Sequence, residues 1–128
     1  MLYIYNMSPS QRQDAVFRAL AAPARRTLLD HLRDTPMTTG QLCALFPELD
    51  RCSVMQHLKV LEAADLVIVE RRGRERWNHL NPLPIHDIHE RWIGPHAALA
   101  VGKLANLKRR LERSGEQAGV VSPQAERR

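Results

Sequence analysis

At 128 residues the chain has room for one domain with one core, and with aromatics at 5% that core must be built mostly from aliphatic side chains. The formal net charge of +5 favours a polyanionic partner. No run reaches the roughly 18 apolar residues of a membrane span, Met1–Asn6 lacks the basic start and long apolar core of a signal peptide, and Cys43 and Cys52 are too few to staple a secreted fold, so a cytoplasmic protein without a membrane partner is expected.

Residues 1–10 read as a flexible lead, with Met7 a second candidate start. A first helix is predicted over 11–21, with Ala15, Val16, Ala19 and Leu20 on one face. Pro23 suits the first position of a second helix, which carries Ala24, Leu28, Leu29 and Leu32 and ends near Asp34-Thr35-Pro36. Thr38 or Thr39 caps a third helix whose buried side is Leu42, Leu45 and Phe46, and Pro47 stops it. Asp50 caps a fourth helix, residues 50–64, in which Val54, Leu58 and Leu61 recur at i, i+4, i+7 and face the core.

A strand pair follows at roughly 66–71 and 76–80, with Gly73 in the turn. Asn81-Pro82-Leu83-Pro84 is expected to be an extended connector. The segment 85–112 is helical in character: Ile85, Ile88 and Trp92 form one apolar face, and Ala97, Ala100, Leu104, Leu107 and Leu111 continue at heptad-like spacing. Gly94-Pro95 predicts a kink or break between its halves. From Ser114 the composition loses periodicity. The expected organisation is a lead over 1–10, one domain over 11–113 and a disordered tail over 114–128. The fold class is mainly α with a small β-hairpin (α+β), a winged helix-turn-helix.

That arrangement suits duplex DNA. The major groove admits one helix, and side chains near its N-terminal end read base edges. Arg51, Ser53, Met55 and Gln56 occupy that end. Arginine bridges the two acceptors of guanine, glutamine pairs with adenine, and methionine touches a thymine methyl. Lys59, further along, suits phosphate, and His57 beside the apolar seam suits packing or a phosphate contact. Arg71, Arg72, Arg74 and Arg76, on the hairpin spanning 66–80, suit phosphates or the minor groove. Glu70 and Glu75 sit among these arginines, so a self-neutralised surface hairpin is the competing reading.

The segments Phe17-Arg18-Ala19-Leu20-Ala21-Ala22-Pro23-Ala24-Arg25-Arg26, Ser53 through Val67, Arg71-Arg72-Gly73-Arg74-Glu75-Arg76 and Leu80-Asn81-Pro82 closely resemble the ArsR/SmtB family of bacterial transcriptional repressors. The likeness covers about residues 14–112. It implies a homodimer joined through its first and last helices, and a repressor that leaves a short inverted repeat in a double-stranded DNA operator when an effector binds. The heptad-like stripe from Ala97 to Leu111 independently suits a helix buried against a partner, or one packed within its own subunit.

One metal site of that family places Cys-x-Cys-Asp-Leu at the third helix. The matching residues here, Thr38-Thr39-Gly40-Gln41-Leu42, hold no thiolate or carboxylate. A second uses Asp-x-His and later ligands on the last helix. Asp87-Ile88-His89 begins that pattern, but the later positions fall near Ala100 and Lys103, leaving Asp87, His89 and His96 as an incomplete candidate set. The sequence therefore points to a branch without a metal, and no cofactor is expected. Cys43 and Cys52 flank the turn before the fourth helix, where a disulfide would distort the reading head, so they are candidates for an oxidant switch. The effector itself is not written in the residues.

The reading is a sequence-specific, dimeric, autoregulatory repressor. The alternative is a winged-helix module for non-specific nucleic-acid or protein binding. A metal-dependent hydrolase built on His86 and His89 is the remaining one, but the chain has no HExxH, nucleophile elbow or glycine-rich phosphate loop, and no enzyme is expected.

Overall fold

Serine, threonine and aspartate caps start three of the helices, and prolines stand in the first turns of others. The computed structural model describes residues 6–94 and 97–121. They fall into two compact units, one ending at Ile88 and one beginning at His89. Helix α1 (Pro9–Leu20) opens with a reciprocal box. The Ser8 hydroxyl accepts from the Gln11 amide at 3.1 Å, and the Gln11 side-chain oxygen accepts from the Ser8 amide at 2.9 Å. The helix thus starts inside the segment expected to be a lead, a start that Ser8-Pro9-Ser10-Gln11 signals by its spacing. Residues 1–5 of that lead lie outside the described residues.

Helix α2 (Pro23–Leu32) has Pro23 at its first position, as expected. Its arginines reach back to the open end of α1. Arg25 Nε donates to the Ala19 carbonyl at 2.7 Å and Nη2 to that of Arg18 at 3.1 Å, while Arg26 Nη1 donates to the Leu20 carbonyl at 2.7 Å. Two cations therefore satisfy the Ala19 and Leu20 carbonyls at the helix end and add a second donor to that of Arg18, which also accepts from the Ala21 amide at 3.3 Å.

Strand β1 (Met37–Thr38), too short to show a period of two, was not foreseen. Helix α3 (Thr39–Ala44) follows, and Thr38 rather than Thr39 caps it, in a second reciprocal box with Gln41. Leu45 corrects the expected buried face. Leu42 and Phe46 are in the core, but Leu45 is 43% exposed, because α3 ends at Ala44 and the helical stripe ends with it.

Helix α4 (Arg51–Ala63) is capped by Asp50 and ends in a Schellman motif. Leu66 N–H bonds the Leu61 carbonyl, and Asp65 N–H bonds that of Glu62, both at 2.9 Å. Asp65 takes φ +63° there, a conformation usually given to glycine. Leu61 and Leu66 are fully buried at this turn.

Strands β2 (Val67–Arg72) and β3 (Glu75–Leu80) pair antiparallel, with Arg72 opposite Glu75, so Gly73-Arg74 is a two-residue turn. Gly73 has φ +60°, as the first position of a type II′ turn requires. With β1 they make a three-stranded sheet in the order β1-β3-β2. Asn78 locks it: fully buried, its amide donates to the Met37 carbonyl at 3.2 Å and to Thr39 Oγ1 at 3.1 Å. The core joins Val16 and Ala19 of α1, Leu28, Leu29 and Leu32 of α2, Leu42 of α3, Val54, Leu58 and Leu61 of α4, and Leu66 and Val67. Each fully buried large aliphatic among them is worth about 1.5–3 kcal/mol.

The expected connector at 81–84 is shorter than predicted, because helix α5 (Leu83–Trp92) begins within it. Asn81 Oδ1 accepts from the Leu83 amide at 3.2 Å, and Pro84 lies in the first turn, where its missing N–H costs nothing. Ile88 packs against the core, while Ile85 and Trp92 remain exposed. The break expected at Gly94-Pro95 begins with Gly94 at φ +72°; Pro95 and His96 lie outside the described residues. Helix α6 (Ala97–Val121) runs past Arg113, the expected domain end, through Glu116-Gln117-Ala118, all good helix formers. Residues 122–128 of the expected tail lie outside the described residues.

Candidate nucleic-acid interface

The fourth helix buries the side that the sequence predicts, and its expected exposed side is exposed at three of five positions. Val54, Leu58 and Leu61 are buried behind, and Arg51, Gln56 and Lys59 are exposed in front, with Ser53 and Met55 half-buried between them. Asp50 fixes where the helix starts. Its carboxylate accepts from the Ser53 amide at 2.7 Å. That backbone bond, with a smaller contribution from the Ser53 side chain, holds the Asp50 carboxyl below its ordinary pKa of 3.8. The helix is therefore anchored at its N-terminal end, the end with which a helix lying in the major groove reads base edges.

The four hairpin arginines do not share one environment. Arg76 is committed to the fold: its Nη2 meets Glu62 Oε2 of α4 at 2.5 Å, and its side chain is only 20% exposed. Arg72 pairs with Glu70 at 2.8 Å and lies over the Trp77 ring, 4.7 Å from its centroid. Glu70 also meets His79 Nε2 at 3.0 Å, and Arg72 first, then His79, keeps its carboxyl below the usual range. Arg71 and Arg74 are exposed and enter no ion pair among the described residues. The self-neutralised reading thus fits half of the cluster and fails for the other half.

A groove of about 350 Å³ runs between the start of α3, the start of α4 and the wing. Thr39, Arg51, Met55, Arg71, Arg74 and Glu75 line it, so residues assigned separately to bases and to phosphates border one concavity. Sequence reasoning missed Thr38, Thr39 and Gly40 as part of this wall, because only β1 brings them beside the wing.

His57 is half-buried, and its Nδ1 lies 3.3 Å from Arg25 Nη1. It faces the supporting arginine, a contact that suits the packing reading. Cys43 and Cys52 are both free; Cys43 packs against the core and Cys52 is exposed in the first turn of α4. Asp87 and His89 lie on α5, and His89 Nδ1 stands 3.5 Å from Glu90. Among the described residues no three His, Cys, Asp or Glu side chains converge as metal ligands, and His96 lies outside them. No helix among the described residues is long and apolar enough to cross a membrane.

Comparison with known proteins agrees with this geometry. Residues 20–70 match the model of a helix-turn-helix domain. The chain is 32% identical over 72 residues to the transcriptional repressor SdpR of Bacillus subtilis (strain 168), a match covering 56% of this chain and 79% of that protein. It is 37% identical over 76 residues to the HTH-type transcriptional regulator Rv2034 of Mycobacterium tuberculosis, covering 59% and 70%. The crystal structure of the ArsR family transcriptional regulator RHA00566 shares the fold with a TM-score of 0.59 at 24% identity, over 80% of this chain and 93% of that one. Fold and site define a winged helix-turn-helix, DNA-binding transcriptional regulator, not an enzyme. The chain belongs to the ArsR family of these regulators.

Proposed function

We propose that the protein is a homodimeric repressor that reads a short inverted repeat upstream of its own gene and acts in the cytoplasm. The carrying observation is the groove that joins the start of α4 to the wing with Arg51, Arg71 and Arg74 around it. Arg51, Ser53, Met55 and Gln56 contact bases. Lys59, Arg71 and Arg74 contact phosphates, and Arg72 and Arg76, already paired, support the wing with a smaller share of phosphate contact. The name of the Bacillus subtilis relative, a repressor, supports the direction of regulation.

The dimer is supported by α6, on which Leu104, Leu107 and Leu111 are 62%, 41% and 62% exposed. A helix that buries no apolar face is marginal alone in water, and a second copy supplies the missing surface. In this reading residues 11–113 hold both the DNA-reading and the dimerising parts.

Fluorescence anisotropy tests the proposal, with DNA from upstream of the gene against a scrambled fragment, at moderate salt with chelator and reductant. A preference of about a hundredfold or more is expected. Arg51→Ala and Gln56→Ala should each erode it by about 1–3 kcal/mol. Arg74→Ala should weaken both fragments alike and reduce the salt slope by about one. Equal binding to both fragments would favour the coating module instead.

A further inference from the structure

Helix α4 has two flanks between its buried seam and its exposed front. Arg51 and Met55 line the groove beside the wing, and Glu62 ties to Arg76 of the hairpin, so one flank belongs to the wing. Ser53, His57 and Val60 recur at i, i+4, i+7 and share the other flank, where His57 meets Arg25 of α2. A helix lying in the major groove has a phosphate backbone along each side. The wing brings Arg71 and Arg74 toward one of them, and His57 occupies the flank that faces the other.

Arg25 decides which nitrogen of His57 carries the proton. Its guanidinium is fixed independently of the ring, by Nε on the Ala19 carbonyl at 2.7 Å and Nη2 on the Arg18 carbonyl at 3.1 Å. Nη1 then lies 3.3 Å from His57 Nδ1. A guanidinium only donates, so Nδ1 is the acceptor of this pair and the proton of the neutral ring sits on Nε2. The two ring nitrogens point in diverging directions, which turns Nε2–H away from Arg25. Nε2 bonds no described residue and is not among the buried unpaired atoms. The half-buried ring therefore holds an aimed donor that lacks an acceptor.

We propose that His57 donates Nε2–H to a DNA phosphate on the side of the groove away from the wing, with Arg25 as its positioning residue. The contact rests on α4 being the helix that enters the groove. It gives the reading helix a hold on both backbones, the wing on one side and the imidazole on the other. Because the ring is neutral, the bond adds the same affinity on any sequence and releases no counterion.

Two measurements test it. Proton–nitrogen correlation spectra of the imidazole, taken on the full chain at mildly alkaline pH, read the tautomer without DNA. Anisotropy on the scrambled duplex reads the phosphate contact without an operator, so both are separate from any failure of the repressor reading. The free chain should show His57 with Nε2 protonated and Nδ1 accepting. His57→Asn keeps an acceptor near Nδ1 but has no donor at Nε2, and should weaken binding about fivefold or more. Its salt slope should stay unchanged, unlike that of Arg74→Ala. His57→Gln places an amide N–H where Nε2–H stands and should bind within about twofold of the unsubstituted chain. In an Arg25→Met background the penalty of His57→Asn should shrink, because nothing aims the ring. A ring protonated at Nδ1, His57→Asn binding at full strength or with a smaller salt slope, or His57→Gln as weak as His57→Asn would overturn the proposal. An undiminished penalty in the Arg25→Met background would overturn the part given to Arg25.

Discussion

Arg25 is the residue whose removal tests how the reading helix is supported. It closes the end of α1 through the Ala19 and Arg18 carbonyls and also touches His57 on α4. The bond to Ala19 is short, charge-assisted and half-buried, worth about 1.5 kcal/mol, the low end for a charged donor. The more exposed bond to Arg18 adds roughly 0.5 kcal/mol, and removing a cation from a helix C-terminus costs about 0.3–1 kcal/mol more. Arg25→Met keeps the aliphatic stem and should destabilise the fold by about 2–3 kcal/mol. Arg26→Met is the internal control: one exposed bond, to Leu20, and the same loss of a cation at the end of α1, about 1–1.5 kcal/mol together. Urea unfolding at matched protein concentration reads both, with the Arg25 midpoint falling by about 1 M or more at unchanged slope. If the two variants unfold together, the guanidinium of Arg25 is not what holds α1 and α4 in place.

Three other substitutions probe the frame of the site. Asn78→Ala strips two buried hydrogen bonds from β1 and α3 and should cost about 2–3 kcal/mol in the same urea assay. Asp65→Gly relieves the positive-φ position in the Schellman turn and should raise stability by up to about 1 kcal/mol, measured as a higher melting temperature. The Asp50 cap has a pH signature. Its carboxyl titrates below its ordinary value of 3.8, so its contribution is complete above that pH and is lost as pH falls through the lower folded value. Asp50→Asn, which keeps a cap without the titration, should flatten that part of the acid-unfolding curve.

The elements proposed to carry the function were legible because local chemistry alone specifies them. Asp50 marks the start of α4, the i, i+4, i+7 series from Val54 marks its buried side, and Gly73 marks the turn of the wing. What the sequence left unread depends on partners distant along the chain. Strand β1 exists because Asn78 and Trp77, some forty residues later, pair with Met37 and Thr38. Leu45 belonged to an apolar stripe that outlasted its helix. The start of α5 was hidden by Pro82 and Pro84, read as helix breakers when one of them lies in a first turn that needs no donor.

The same dependence on distant partners divides the wing. Four arginines within six residues look alike in sequence, and their charge alone assigns all of them to nucleic acid. Glu62 on α4 and Glu70 with Trp77 on the wing withdraw two of them. Arg76 becomes the tie that fixes the hairpin to the reading helix, and Arg72 stiffens the hairpin itself. A wing held in this way presents Arg71 and Arg74 from a rigid base, which lowers the ordering cost of each phosphate contact proposed for them. It follows that Arg76→Ala should impair DNA binding by loosening the wing from α4, whereas Arg74→Ala impairs it by removing a charge. The two separate by salt: the Arg74 defect shrinks as salt rises, and the Arg76 defect persists, because an alignment lost between two elements is not restored by screening.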